Sequence, residues 1–144
     1  RAWDLESGAS LATLEGHTDG LNAIACVVVA RALRLVTGSD DTAARVWSER
    51  GALLTLEHPY AVNSVACVVA GDAWRFLTGT IGAVKVWDGA SGAMLSALDG
   101  HEGIVYSLAV HKMDDGWRVA SGAGNSGGSK VRVWNISGAL WGLR

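Results

Sequence analysis

The chain has 144 residues, 49% of them hydrophobic and 18% charged, which is enough apolar material for one globular domain and too little charge for a disordered tail. Twelve Lys and Arg against 14 Asp and Glu leave a net charge of -2, so there is no electrostatic reason to expect a nucleic acid or an anionic membrane as partner. No apolar run, that over Ile24 to Ala30 included, approaches the roughly 20 residues that span a bilayer.

Taken in chain order, residues 1–15 read as the end of one strand and one further strand. The next unit, about 21–57, alternates apolar and polar residues in the period-2 manner of half-buried strands. It predicts four strands, over Leu21 to Val29, Arg34 to Gly38, Ala43 to Trp47 and Ala52 to Leu56. Like units follow at about 62–98 and 105–143. No segment shows apolar spacing at helical period over ten or more residues, so helix is expected to be negligible.

The units keep step with one another. RAWD, RVWS, KVWD and RVWN set Trp3, Trp47, Trp87 and Trp134 at intervals of 44, 40 and 47 residues. His17, His58 and His101 fall 41 and 43 apart, as do Thr37, Thr78 and Ser121, and the turn glycines Gly8, Gly51, Gly92 and Gly138 follow the same beat. A period of about 40 to 45 residues with strand-like content is the signature of propeller blades. The expected fold is all-β: three four-stranded antiparallel blades and a fraction of another.

Repeat position also explains residues that would otherwise invite chemistry. Cys26 and Cys67 lie 41 apart without CxxC spacing, and Val110 holds their place in the third unit. They read as core residues, not as a zinc site or a disulfide framework. A reducing compartment, cytoplasmic or nuclear, is therefore expected. Leu33, Trp74 and Trp117 are equivalent and read as packing between neighbouring blades, and the four periodic tryptophans follow the same logic. His, Cys, Asp and Glu are dispersed without ligand spacing, which argues against a metal. No cofactor is expected. Gly122, Gly124 and Gly127 spell GxGxxG, but KVRVW after them is a strand where a dinucleotide site needs a helix. Asp114 and Asp115 precede Gly116 and read as a turn. Asn135, Ile136 and Ser137 form a glycosylation triplet of the kind that arises often by chance.

EGHTDGLNAIA followed by LVTGSDDTAARVWS resembles the WD-repeat family, with its glycine-histidine opening, its serine/threonine-glycine strand and its closing tryptophan. The specificity comes from three in-phase copies that cover nearly the whole chain. The resemblance implies a β-propeller whose blades are each tied by a buried hydrogen-bond tetrad. In the first blade the four positions fall on His17, Thr37, Asp41 and Trp47. The second has His58, Thr78 and Trp87 with Ile81 where the aspartate belongs. The third keeps His101, Ser121 and Trp134, but its turn is expanded to GAGNSGGSK without an acid, and Asn125 is the one substitute on offer. That turn is expected to be the most mobile loop. His17, Thr37 and Asp41 also have the makings of a hydrolase triad. Their in-phase recurrence marks a structural element instead, and no GxSxG motif accompanies them.

The same resemblance implies that partners meet the face built by the loops leading into the innermost strands. Those positions are Gly20 and Asn22, Ala61 and Asn63, and Ile104 and Tyr106, with Asp40 and Thr80 flanking from the second hairpin. Tyr106 is the best candidate for an anchor, with packing against a neighbouring loop as the equal alternative. The absence of Arg and Lys from these positions argues against a phosphopeptide reader. The expected function is a non-catalytic scaffold that binds other proteins or peptides. The alternative is the recognition or regulatory arm of a larger enzyme such as a signalling ATPase or kinase. About 4 to 8 blades close a ring, so three are expected to leave open faces. The chain is accordingly expected to self-associate, to aggregate, or to belong to a longer protein with further blades.

Overall fold

The computed structural model describes residues 1–70, 72–126 and 128–137. Within these the chain forms only strands and turns, and no helix is long and apolar enough to cross a membrane. β1 (Ala2–Trp3) and β2 (Ser10–Ala12) make a two-stranded sheet. β3 (Leu21–Val29), β4 (Ala32–Ser39), β5 (Ala43–Ser48) and β6 (Gly51–Glu57) follow as a four-stranded antiparallel sheet in sequence order, the first blade. β7 (Ser64–Ala70), β8 (Ala73–Gly79), β9 (Ile81–Asp88), β10 (Met94–Met113), β11 (Gly116–Asn125) and β12 (Gly128–Ile136) form one antiparallel six-stranded sheet.

The second and third blades are thus joined through β10. Its first part, Met94 to Asp99, pairs with β9 as the outer strand of the second blade, and its second part, Ile104 to Met113, pairs with β11 as the inner strand of the third. The register breaks between Asp99 and Ile104, where Gly100 and Gly103 stand. The third unit as read from the sequence runs on to 143. Its last residues, Gly138 and Trp141 to Arg144 among them, lie outside the described residues, as does Gly127 of the GxGxxG triplet.

Period-2 alternation builds the core. Phe76 and Leu77 are neighbours on β8, yet both are fully buried because their side chains enter different clusters. Phe76 joins Val36, Val46, Trp74 and Trp87 between the first and second blades. Leu77 joins Val84, Val86, Val105, Trp117 and Val119 between the second and third. Blades press together closely at the glycines that follow the first two tetrad hydroxyls. A Cβ on Gly38 would come within 2.6 Å of Val62 Cγ1, and one on Gly79 within 2.8 Å of Val105 Cγ1.

Among the described residues the two outer faces of this stack are uncovered, and that corrects two expectations. Cys26 is exposed, not core, because it shares the open face of the first blade with Ile24, itself 66% exposed. Cys67 faces the first interblade cluster, and burial, aided by the neighbouring Cys26, pushes its thiol up to about 12. Trp3 is likewise exposed, since β1 and β2 give it no neighbouring blade. At the far side Val131 and Val133 of β12 are exposed as well.

The expanded third turn keeps its strands paired. GAGNSGGSK does not open into a loop, because the β11–β12 ladder continues unbroken from Trp117 and Ile136 out to Asn125 and Gly128. The extra residues lengthen a hairpin.

Candidate functional site

Three hydrogen-bond chains, one per blade, hold the elements in place. In the first, the indole N–H of Trp47 donates to Thr37 Oγ1 at 2.8 Å, and Thr37 Oγ1 lies 2.7 Å from His17 Nε2. His17 Nδ1 lies 2.8 Å from Asp41 Oδ2. An indole N–H can only donate and a carboxylate can only accept. The protons are therefore ordered: the threonine hydroxyl donates to Nε2, and Nδ1–H donates to the carboxylate. The amides of Thr18 and Ala43 also donate to Asp41, each at 3.0 Å. Burial raises the carboxyl, but those two amides and the imidazole more than offset it and bring it down to about 2.

The second chain runs from Trp87 Nε1 to Thr78 Oγ1 and on to His58 Nε2, at 2.9 Å each. It ends differently, with Nδ1–H donating to the Leu56 carbonyl at 2.9 Å. The hairpin here is one residue shorter. It is closed by the Thr80 amide on the Ala83 carbonyl at 3.1 Å, with Gly82 at φ 82°, and Ile81 begins β9 with no carboxylate slot left. Burial, more than the nearby Lys85, holds His58 below the usual histidine range.

In the third, Trp134 Nε1 donates to Ser121 Oγ at 2.8 Å, and Ser121 Oγ lies 2.7 Å from His101 Nε2. His101 Nδ1 is buried and meets no partner among the described residues. Asn125 does not take the aspartate's place, because its side-chain amide donates to the Glu102 carbonyl at 3.3 Å.

A recurrent contact escapes the reading of the sequence above. A cation lies over each tetrad indole: Arg45 over Trp47 at 5.9 Å, Lys85 over Trp87 at 6.0 Å and Arg132 over Trp134 at 5.7 Å. Arg1 repeats it over Trp3 at 6.0 Å. The signal is present in RAW, RVW, KVW and RVW, where a basic residue stands two before each tryptophan and so on the same strand face.

The positions proposed to meet partners fall into two groups. Asn22 and Tyr106 are exposed, and both occupy β-bulges, since the ladder skips from Leu21 to Ala23 and from Val105 to Ser107. A bulge re-aims a side chain out of the ladder, and Tyr106 stands 61% exposed. Asn22 Nδ2 donates to Asp40 Oδ1 at 2.7 Å, so these two side chains form one exposed pair. Asn63, just before β7, is half-buried and donates to the Ala61 carbonyl at 3.1 Å. Gly20 accepts from the Asp40 amide. The others are less available. Ile104 is half-buried in β10 between Ile81 and Gly124. Thr80 is 2% exposed, which removes it from an accessible face; the shortened hairpin folds it inward, and its carbonyl accepts from the Val105 amide. Among the described residues no group of three His, Cys, Asp or Glu side chains is placed to hold a metal.

The family model for the WD domain, G-beta repeat, matches residues 8–48 and 92–135. The chain belongs to the WD40-repeat family. The two matched WD40 stretches flank most of the second blade, the one whose hairpin has lost a residue. Among solved structures the chain is similar to the computationally designed Ika8 protein, with 28% identity and a TM-score of 0.72 over 93% of this chain. It spans 39% of that protein's length. WD40 repeats generally mediate protein–protein interactions.

Proposed function

We propose that this WD40 chain is a non-catalytic protein-interaction scaffold, and that partners meet it through the face carrying Asn22, Asp40 and Tyr106. The observation that carries the reading is the pair of equivalent bulges. Each blade's hydrogen-bond chain immobilises the second hairpin, and beside that rigid frame the bulge turns one side chain outward, asparagine in the first blade and tyrosine in the third. Tyrosine offers a large contact area and a hydroxyl at little entropic cost, which is how a few aromatic residues come to dominate interfaces. The ordered tetrad supports a structural role for His17, whose ring nitrogens are both engaged by hydrogen-bond partners.

The test compares the proteins retained by the full chain with those retained by Tyr106→Ala, with the melting temperature of both recorded. A shared partner should lose about five- to thirtyfold in affinity while the melting temperature stays put. An unchanged partner set and affinity would exclude this face.

A further inference from the structure

Each blade carries an arginine directly after its Leu33, Trp74 or Trp117 position, namely Arg34, Arg75 and Arg118. In the second blade Arg75 Nη1 donates to the Trp74 carbonyl at 2.9 Å and reaches Asp88 Oδ2 at 2.7 Å. In the third, Arg118 Nη2 lies 2.8 Å from Asp115 Oδ2. Arg34 in the first blade makes the same local bond as Arg75, with Nη1 donating to the Leu33 carbonyl at 2.9 Å. Its guanidinium meets no carboxylate among the described residues.

The first blade differs at both positions that supply the acid elsewhere. Ser48 stands where the second blade has Asp88, and Arg31 stands where the third has Asp115. Ser48 keeps the turn without the charge: its hydroxyl accepts from the Arg50 amide at 3.2 Å, as the Asp88 carboxylate accepts from the Ala90 amide at 3.1 Å. Arg31, Arg34 and Arg50 line one cavity of about 290 Å³ with Ser48 and Glu49, at the end of the blade opposite Asp40. Three guanidinium groups against one carboxylate leave two positive charges in it. Among the described residues neither Arg31, Arg50 nor Glu49 makes an ion pair. Asp72 of the second blade lines a neighbouring cavity with Arg34 without pairing to it. A guanidinium fork held by its own backbone is prepared for an oxyanion. A phosphate monoester, at close to two negative charges, balances this corner, whereas a carboxylate leaves it cationic.

We propose that this corner of the first blade binds a phosphate monoester carried by a side chain of a protein partner, with Arg34 as the fork and Arg31 and Arg50 supplying the remaining charge. The positions around Asn22 and Tyr106 lack the bases for this, and the opposite end of the blade has them. The protein origin of the phosphate rests on the scaffold reading above. The site itself does not.

The test uses the full chain labelled with ¹⁵N and follows the arginine Nε–H signals by NMR at neutral pH and constant ionic strength. It is titrated with inorganic phosphate, with an end-blocked Gly-phosphoserine-Gly peptide and with its Gly-Ser-Gly and Gly-Glu-Gly twins. Phosphate and the phosphoserine peptide should move Arg34 saturably while Arg75 and Arg118, already paired, hold still. The Ser peptide should leave Arg34 unmoved, and the Glu peptide should bind more weakly than the phosphoserine one. Ser48→Asp, which gives Arg34 the acid that Arg75 has, should weaken the phosphoserine peptide by about tenfold or more. An Arg34 signal indifferent to both phosphates, or a response undiminished in Ser48→Asp, would overturn the site. Equal movement at Arg75 and Arg118 would overturn it too, as general screening of charge. A response to inorganic phosphate alone would overturn the protein source and make the free ion the ligand, and equal binding of the Glu peptide would overturn the requirement for a dianion. Loss of partners in Tyr106→Ala with no response at Arg34 would sustain the scaffold reading and refute only this site.

Discussion

At the scale of single residues, the three histidines each hold a hydroxyl through Nε2 and differ at Nδ1, and acid should expose the difference. Asp41, with its side chain 6% exposed, has a folded pKa of about 2, below its unfolded value. It therefore stabilises the fold fully above pH 4 and ceases to do so as the pH falls toward 2, a contribution of roughly 2 kcal/mol. His58 and His101 also sit below their unfolded value. The unfolded chain then binds more protons below about pH 6.5, so stability should begin to fall there. Urea midpoints measured from pH 7 to 2 should decline in two stages, and Asp41→Asn should shrink the lower one. What remains is the smaller share of Asp88, where burial is outweighed by the Ser91 amide and hydroxyl and the Arg75 guanidinium, which also hold it below the usual carboxylate range. An Asp41→Asn profile between pH 4 and 2 as steep as that of the wild type would refute the Asp41 assignment.

The members of the tetrad were legible in the sequence because histidine, hydroxyl and tryptophan recur in phase. What each histidine does with its second nitrogen was not. Ile81 marks the lost aspartate, but one missing residue in a hairpin leaves no trace of the backbone carbonyl, that of Leu56, that takes over. The burial of Thr80 was hidden for the same reason. The exposure of Asn22 and Tyr106 depends on bulges, which are set by pairing partners about twenty residues away and not by local alternation.

At the scale of strands, tight approach between blades falls on Gly38 and Gly79, the glycines after the first two tetrad hydroxyls. Gly79 faces Val105 across the second interblade cluster, and Val105 is fully buried. Gly79→Ala should force a methyl group into that contact and cost about 1 to 3 kcal/mol, measured by chemical denaturation. A neutral result would mean that the inner strand of the third blade yields. The strand pattern was readable from alternation alone over β3 to β6, where both edges of every strand carry turn residues. Alternation does not say where a strand ends when glycines fail to break it, so the passage of β10 through Gly100 and Gly103 was missed.

At the scale of the whole molecule, the described residues form three sheets with no main-chain ladder between them. The first blade has its own four strands, while the second and third share six. Opening units tend to follow such boundaries. Native-state hydrogen exchange should therefore show β7 to β12 protected with one common opening energy and β3 to β6 opening separately at lower energy, since one face of the first blade is uncovered. Equal protection across both sheets would contradict this division. The open faces themselves were anticipated from the blade number. Which residues pave them was not, as Cys26 shows: repeat position makes it equivalent to Cys67, and only the absence of a neighbouring blade makes it accessible.

The undivided β10 also bears on how this protein would carry a mechanical load. Tension applied between Ala2 and Ile136 meets side-chain packing and the Val62 amide on the Ser39 carbonyl where the first blade abuts the second, whereas the second and third are also tied by β10, whose first part is laced to β9 and whose second part is laced to β11. Under pulling, the seam next to Glu57 should yield first, leaving the last two blades as a paired remnant that ruptures in a single larger step.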